Sequence, residues 1–259
     1  MTLAPTTLTK SLVNLALLAG REIMAIYASD FGARTKSDLT PVTEADEAAE
    51  RVILEGLAKL DPQTPVISEE AASAGRIPQV GNSFYLVDPL DGTKEFVSRN
   101  GEFTVNIARI ENGVPVVGVV YAPAIGRIFW GDTSKGAAEG KIAADETISW
   151  KKLLVRPCPG DGAIVVASRS HRDIATDDYL KTVKVAKLVS AGSSLKFCLI
   201  AAGEADLYPR FGRTMEWDTA AGHAVLLAAG GKVLNSEGLP LSYGKRERGF
   251  DNPGFIACA

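Results

Sequence analysis

Six consecutive residues, Asp88-Pro89-Leu90-Asp91-Gly92-Thr93, carry the densest chemistry in the sequence. Two carboxylates flank a proline that fixes one φ angle, and the glycine that follows tolerates backbone conformations closed to other residues. The chain can therefore fold sharply enough for both acids to converge. A hard cation suits such a cluster. Mg²⁺ takes oxygen ligands in octahedral geometry, and the Leu90 carbonyl adds a further protein oxygen while water or phosphate fills the rest. Asp-Pro and Asp-Gly are common in plain turns, so either dipeptide alone signals only a bend. With five fixed residues at background frequencies of roughly 5% each, Asp-Pro-x-Asp-Gly-Thr arises by chance in about one in ten thousand chains of this length.

These residues need elements to position them. The apolar run Phe84-Tyr85-Leu86-Val87 reads as a buried strand that ends where the acids begin. Gly92, Thr93 and Lys94 open a helix whose first N–H groups can hold phosphate oxygens. Upstream, Leu12, Leu15, Ala19, Ile23 and Ile26 recur at three- and four-residue intervals as the stripe of an amphipathic helix. A second helix runs from Thr43 to Leu60, with Thr43 as cap and Asp46 three residues on. Thr64–Ser68 is a short strand. Between Phe103 and Trp130, β-rich runs alternate with the turn pairs Asn112-Gly113 and Ile125-Gly126, which predicts an antiparallel meander. Residues 131–162 are polar, Gly-rich and irregular. Strand and helix then alternate: Ala163–Ala167, Asp173–Lys181, Val183–Leu188, Ser193–Ala202, Ala205–Tyr208 and Asp218–Ala229. A soft boundary falls between 135 and 160, dividing the chain into halves of 1–145 and 146–259.

Composition narrows the partners. The chain has 259 residues, 46% of them hydrophobic and 23% charged, enough for one large core or two smaller ones. A net charge of −3 gives no basic field for a nucleic-acid polymer, whereas a small phosphorylated ligand needs only a local cation. Cys158, Cys198 and Cys258 are widely spaced and lack metal-ligand spacing, so they read as free thiols in a reducing compartment. Asn14 and Arg21-Glu22 spoil the only stretch resembling a signal sequence, and no apolar run approaches the roughly 20 residues of a membrane span. The expectation is a cytoplasmic protein, with peripheral contact at the inner membrane and the choice of monomer or homodimer left open.

The hexapeptide closely resembles the central motif of the inositol-monophosphatase superfamily of lithium-sensitive phosphatases. Ile67-Ser68-Glu69-Glu70 is similar to that family's glutamate motif, and Glu216-Trp217-Asp218-Thr219-Ala220-Ala221-Gly222 to its Trp-Asp-x-Ala-x-Gly signature. Gly230-Gly231-Lys232-Val233 and Gly238-Leu239-Pro240-Leu241 also fit, so the likeness spans nearly the whole chain. It implies a layered α/β/α/β/α sandwich of the inositol monophosphatase and fructose-1,6-bisphosphatase type, with an active site between the halves. It further implies that Glu69, Asp88 and the Leu90 carbonyl hold one Mg²⁺, that Asp88, Asp91 and Asp218 hold a second, and that Glu69 serves a weaker third. Thr93, paired with Asp46, would accept a proton from the attacking water, and Glu69 would join them as a catalytic residue. Thr93 alone is no base at neutral pH, so Asp46 must receive or orient that proton. Singly, Glu69 reads as a solvated acid, Asp218 as a helix cap and Asp46 as a first-turn acid.

Substrate choice lies elsewhere. Ala167-Ser168-Arg169-Ser170-His171, Ser193-Ser194-Leu195-Lys196-Phe197-Cys198, Leu207-Tyr208-Pro209-Arg210-Phe211-Gly212 and Asn252-Pro253-Gly254-Phe255 resemble the bacterial 3′(2′),5′-bisphosphate nucleotidases of the superfamily. Those enzymes of sulfate assimilation remove the 3′-phosphate of adenosine 3′,5′-bisphosphate to give AMP. A second phosphate, beyond reach of the metals, calls for cations: Arg210 for bidentate contact, Lys196 as a point charge, with His171 adding a donor or stacking on the base or ribose. Outside that context each reads as a surface cation or a loop histidine. Contacts to substrate would also come from Glu69, Leu90, Asp91, Gly92, Thr93 and Asp218. Ser168 and His171 lack the Gly-x-Ser-x-Gly elbow of a hydrolase dyad. The rivals are an inositol monophosphatase, a sugar bisphosphatase, and a catalytically inactive binder of metal or nucleotide.

Overall fold

The structure is a computed structural model, and it describes residues 4–29, 34–35, 41–42, 44–168 and 173–259. The order is α1 (Thr7–Tyr27), β1 (Arg34–Thr35), β2 (Pro41–Val42), α2 (Glu44–Leu60), β3 (Val66–Ser68), α3 (Glu69–Ser73), β4 (Ser83–Asp91), α4 (Thr93–Val97), β5 (Thr104–Glu111), β6 (Val114–Ala122), β7 (Arg127–Asp132), β8 (Gly136–Ile142) and β9 (Ile148–Leu153). Then follow β10 (Ala163–Ala167), α5 (Ile174–Lys181), β11 (Val185–Ser190), α6 (Leu195–Ala201), β12 (Leu207–Arg210), α7 (Glu216–Ala228), β13 (Lys232–Asn235) and β14 (Phe255–Cys258).

Strands β3 to β9 form a seven-stranded sheet in chain order, antiparallel except for the β3–β4 pair. The second sheet runs β11-β10-β12-β14-β13. Because successive residues of a strand point to opposite faces, β4 divides its apolar run between two layers. Tyr85 and Val87 join Leu12, Ile23 and Ile53 of α1 and α2, whereas Phe84 and Leu86 join Phe197 of α6, Trp217 and Val225 of α7 and Phe255 of the second sheet. Residues of α5, Tyr179 and Leu180, pack on the far side of that sheet against Val165 and Leu207. The layers are therefore α1/α2, first sheet, α6/α7, second sheet, α5: the sandwich expected. Helix α7 lies close on the first sheet because Gly118 and Gly131 leave room for it. A Cβ on either would come within 2.5 Å of an α7 carbonyl oxygen.

Two expectations are corrected. The motif acids do not follow the end of β4 but lie inside it, since the strand continues to Asp91. Residues 131–162 are not irregular: β8 and β9 fill much of them and complete the first sheet, β8 buried on small residues and β9 a largely exposed edge strand, so neither shows an apolar pattern. A division at 145/146 would separate these paired strands, and the change of sheet falls between Leu153 and Ala163. The Thr43 cap lies outside the described residues, although α2 spans Glu44–Leu60 much as its pattern foretold. All three cysteines are free, and no helix among the described residues is long and apolar enough to cross a membrane.

Candidate active site

Asp88 and Asp91 are three residues apart, and strict alternation would send them to opposite faces of β4. The register shows otherwise. Asp88 pairs with Asn106 and Asp91 with Thr104, so three steps on β4 match two on β5. This one-residue bulge at Pro89-Leu90 restores the parity and turns both acids toward the α6/α7 layer. Proline suits the position because it has no N–H to contribute to the ladder. Gly92 then takes φ 95°, a left-handed conformation, and caps α4 with Thr93 as the first helical residue. Ser68, the last residue of β3, pairs with Val87, so Glu69 at the start of α3 follows directly and its charge acts on Asp88. Asp218 arrives from the opposite layer in the first turn of α7.

Around a cavity of about 340 Å³ stand Glu69, Asp88, Leu90, Asp91, Gly92, Thr93, Lys196, Arg210 and Asp218. Of the residues picked from sequence, Asp46 is one shell removed: buried in the first turn of α2, it accepts from Thr93 Oγ1 at 3.4 Å. The same hydroxyl is 3.5 Å from the Leu90 carbonyl oxygen. His171 lies outside the described residues.

Each of three aspartates has one oxygen tied to the protein. Asp88 Oδ1 accepts from Leu90 N at 3.1 Å, Asp218 Oδ2 from Met215 N at 2.8 Å, and Asp91 Oδ2 from Ser194 N at 2.7 Å and Asn106 Nδ2 at 3.3 Å. Asp218 is not the cap itself, which is Met215, but the third residue of α7 whose carboxylate reaches back to the cap N–H, and that bond takes only one of its oxygens. The other oxygen of each of the three meets no hydrogen-bond donor among the described residues. Burial foremost, then the charges of Glu69, Asp91, Asp218 and Asp46, push the Asp88 carboxyl well above the usual carboxylate range. Asp218 is raised likewise by burial and by Asp91 and Glu69. Asp91 rises by burial to about 6, held down by Lys196 and by its bonds from Asn106 and Ser194. A divalent cation among these acids relieves both burial and repulsion, so the donor set fits one. No three acids among the described residues already converge on a single point. An open ring of this kind suits Mg²⁺, which keeps waters and shares its ligands with phosphate.

The cations are placed differently. Lys196 is buried, with Nζ donating to the carbonyls of Ser193 at 2.6 Å and Ala191 at 3.3 Å and sitting 5.3 Å from the Tyr208 ring centroid. Burial lowers its pKa to about 8. Arg210, at the end of β12, donates through Nη2 to the Arg213 carbonyl at 3.0 Å. Sequence reasoning missed Arg213, which also lines the cavity, with Nε held by Asp251 Oδ1 at 2.8 Å. It gave Ser194 a place in the Lys196 segment but no role of its own, and it missed Asn106. An asparagine inside the apolar run Val105-Asn106-Ile107 was a usable signal, since a buried strand seldom carries an amide without a partner.

The profile of the inositol monophosphatase family matches residues 4–255. The chain belongs to that family. Members of the inositol monophosphatase family are metal-dependent phosphatases, generally with Mg²⁺. The chain is 50% identical over 244 residues to the 3′(2′),5′-bisphosphate nucleotidase CysQ of Salmonella typhimurium, covering 93% of this chain and 96% of that one. It is 49% identical over 244 residues, with the same 93% and 96% coverage, to CysQ of Escherichia coli strain K12. Among solved structures, CysQ from Bacteroides thetaiotaomicron, described as a bacterial inositol monophosphatase family member, superposes with a TM-score of 0.81 at 38% identity, covering 100% of this chain and 99% of that one.

Proposed function

We propose that this chain is a Mg²⁺-dependent phosphomonoesterase that removes the 3′-phosphate of adenosine 3′,5′-bisphosphate. The observation that carries the substrate is the two-signed cavity: Glu69, Asp88, Asp91 and Asp218 on one side, Lys196, Arg210 and Arg213 on the other. An ester with one phosphate to cleave and another to hold matches that division. The activity printed in the names of the CysQ relatives agrees with it.

In this reading Glu69, Asp88 and the Leu90 carbonyl would hold one Mg²⁺, Asp88, Asp91 and Asp218 a second, and Glu69 a third. Bound there, the cations would supply Lewis acidity toward the ester oxygens and lower the pKa of water. The chain's own work begins at Thr93 Oγ1. With its proton given to Asp46 Oδ1 rather than to the Leu90 carbonyl, an oxygen lone pair is left to take a hydrogen from the attacking water, and Asp46 receives the proton as it is relayed. The 3.4 Å separation in the free site is of the kind that shortens when substrate closes the geometry. The first N–H groups of α4 meet the phosphate being released. The site draws on both halves of the chain, the first giving Asp46 to Thr93 and the second Lys196 to Asp218.

Phosphate release with Mg²⁺ from the bisphosphate, inositol 1-phosphate and a sugar bisphosphate, with and without Li⁺, tests the substrate. Faster turnover of the adenosine bisphosphate is expected, with inhibition by Li⁺. Preference for the inositol ester would overturn the substrate, and release from none of them would favour a binding role.

A further inference from the structure

Two buried polar residues join the halves at the acids without lining the cavity. Asn106 of β5 has its amide orientation fixed by three bonds: Oδ1 accepts from Thr104 Oγ1 at 3.0 Å, while Nδ2 donates to Asp91 Oδ2 at 3.3 Å and to Ser194 Oγ at 3.1 Å. Ser194, at the N-cap of α6, sends its N–H to the same Asp91 oxygen at 2.7 Å and its hydroxyl proton to the Asp218 carbonyl at 2.6 Å. Every hydrogen of the Asn106 amide and the Ser194 hydroxyl is used once. Both residues are essentially inaccessible.

We infer that Asn106 and Ser194 form a clasp that fixes the separation of Asp91 and Asp218, and that this separation sets the affinity for the divalent cation the two acids share. The inference rests on the metal assignment above. Its physical ground is that Asp91 stands on the first sheet and Asp218 on a helix of the middle layer, so no common backbone holds them in register. Ser194 is the group that touches both, the side chain of one and the main chain of the other. Asn106 keeps the serine hydroxyl turned toward Asp218 by filling its acceptor site. Tying Asp91 Oδ2 twice also leaves its other oxygen as the one presented to a cation. Neither residue reaches substrate, so they are positioning residues. Outer partners of this kind commonly change metal affinity by about 10- to 100-fold.

Titration calorimetry with Mg²⁺ on the whole chain tests this, comparing the natural protein with Ser194→Ala, Asn106→Ala and the double variant. Ser194→Ala keeps the N–H to Asp91 and removes only the bridge. The expected result is Mg²⁺ binding weaker by about tenfold or more in each single variant, and no weaker in the double variant than in the worse single, because the groups act as one chain. At saturating Mg²⁺, KM for the bisphosphate should be unchanged. Unaltered Mg²⁺ affinity with a lowered melting temperature would make the pair merely structural and overturn the clasp. Absence of Mg²⁺ binding by the natural protein would instead remove the metal assignment on which the clasp stands.

Discussion

On one wall of the cavity, Asp88, Asp91 and Asp218 each keep an oxygen that no donor among the described residues meets; on the other, Lys196 spends its ammonium on the Ala191 and Ser193 carbonyls. Both walls bury charge, and they answer it in opposite ways. Burial and mutual repulsion raise the pKa values of Asp88 and Asp218, and a cation from outside would relieve both. The lysine is answered from within, and its charge reaches the cavity chiefly through Asp91, whose pKa it lowers. The acids are left in repulsion until a cation arrives, whereas the lysine is held in place by the chain before any ligand binds. Arg213 has donors to offer: Asp251 fixes its Nε, and both terminal nitrogens have no partner among the described residues.

The largest effect should come from the acidic wall. Asp91→Asn replaces a charged ligand by an amide and should lower kcat by about 10³-fold or more, equivalent to roughly 4 kcal/mol, with the fold retained. Steady-state phosphate release and circular dichroism check both parts, and activity near that of the natural protein would break the contrast at its root. Thr93→Ala should cost about 10²-fold in kcat at saturating Mg²⁺ through loss of the path to Asp46. Equal loss in KM and none in kcat would place Thr93 in binding alone.

A smaller effect should come from the opposite wall. Arg213→Gln should raise KM for adenosine 3′,5′-bisphosphate by about tenfold, the value of one charge-assisted contact near solvent, and leave adenosine 3′-monophosphate unaffected. An equal change for both esters would show that the second phosphate is not met there.

The smallest effect is a shift in stability with pH. For Asp91 the folded pKa of about 6 lies above the ordinary value of 3.8, so the metal-free fold is penalised as pH rises through that window and relieved below it. The gain in melting temperature on adding Mg²⁺ should therefore be larger above pH 7 than near pH 5. A gain independent of pH would mean that the cation does not neutralise these acids.

Much of this was legible in the residues. Helices α1 and α2 and the meander β5 to β7 followed from apolar spacing, and the acids from type and order. Strands β8 and β9 were not: the edge strand β9 is exposed on both faces and so lacks apolar alternation, and β8 is built largely of glycine and alanine with a glutamate and a lysine. Nor was the reason for the acids' convergence. Sequence suggested a turn at Pro89 and Gly92, but the bulge depends on which residues of β5 lie opposite, a long-range fact that no local pattern contains. The commitment of Lys196 to backbone carbonyls was invisible for the same reason.

The bulge also constrains the length of the polypeptide. Between Asp88 and Asp91 the chain has one residue more than β5 opposite, and the surplus decides which side of the sheet every later residue of the motif occupies. Deleting Leu90 would leave the composition almost untouched, yet it would turn the second aspartate toward the apolar layer of Leu12 and Ile53. Substitutions within this segment can be graded by chemistry. Changes of its length by a single residue cannot, because they exchange the inside of the site for the core behind it.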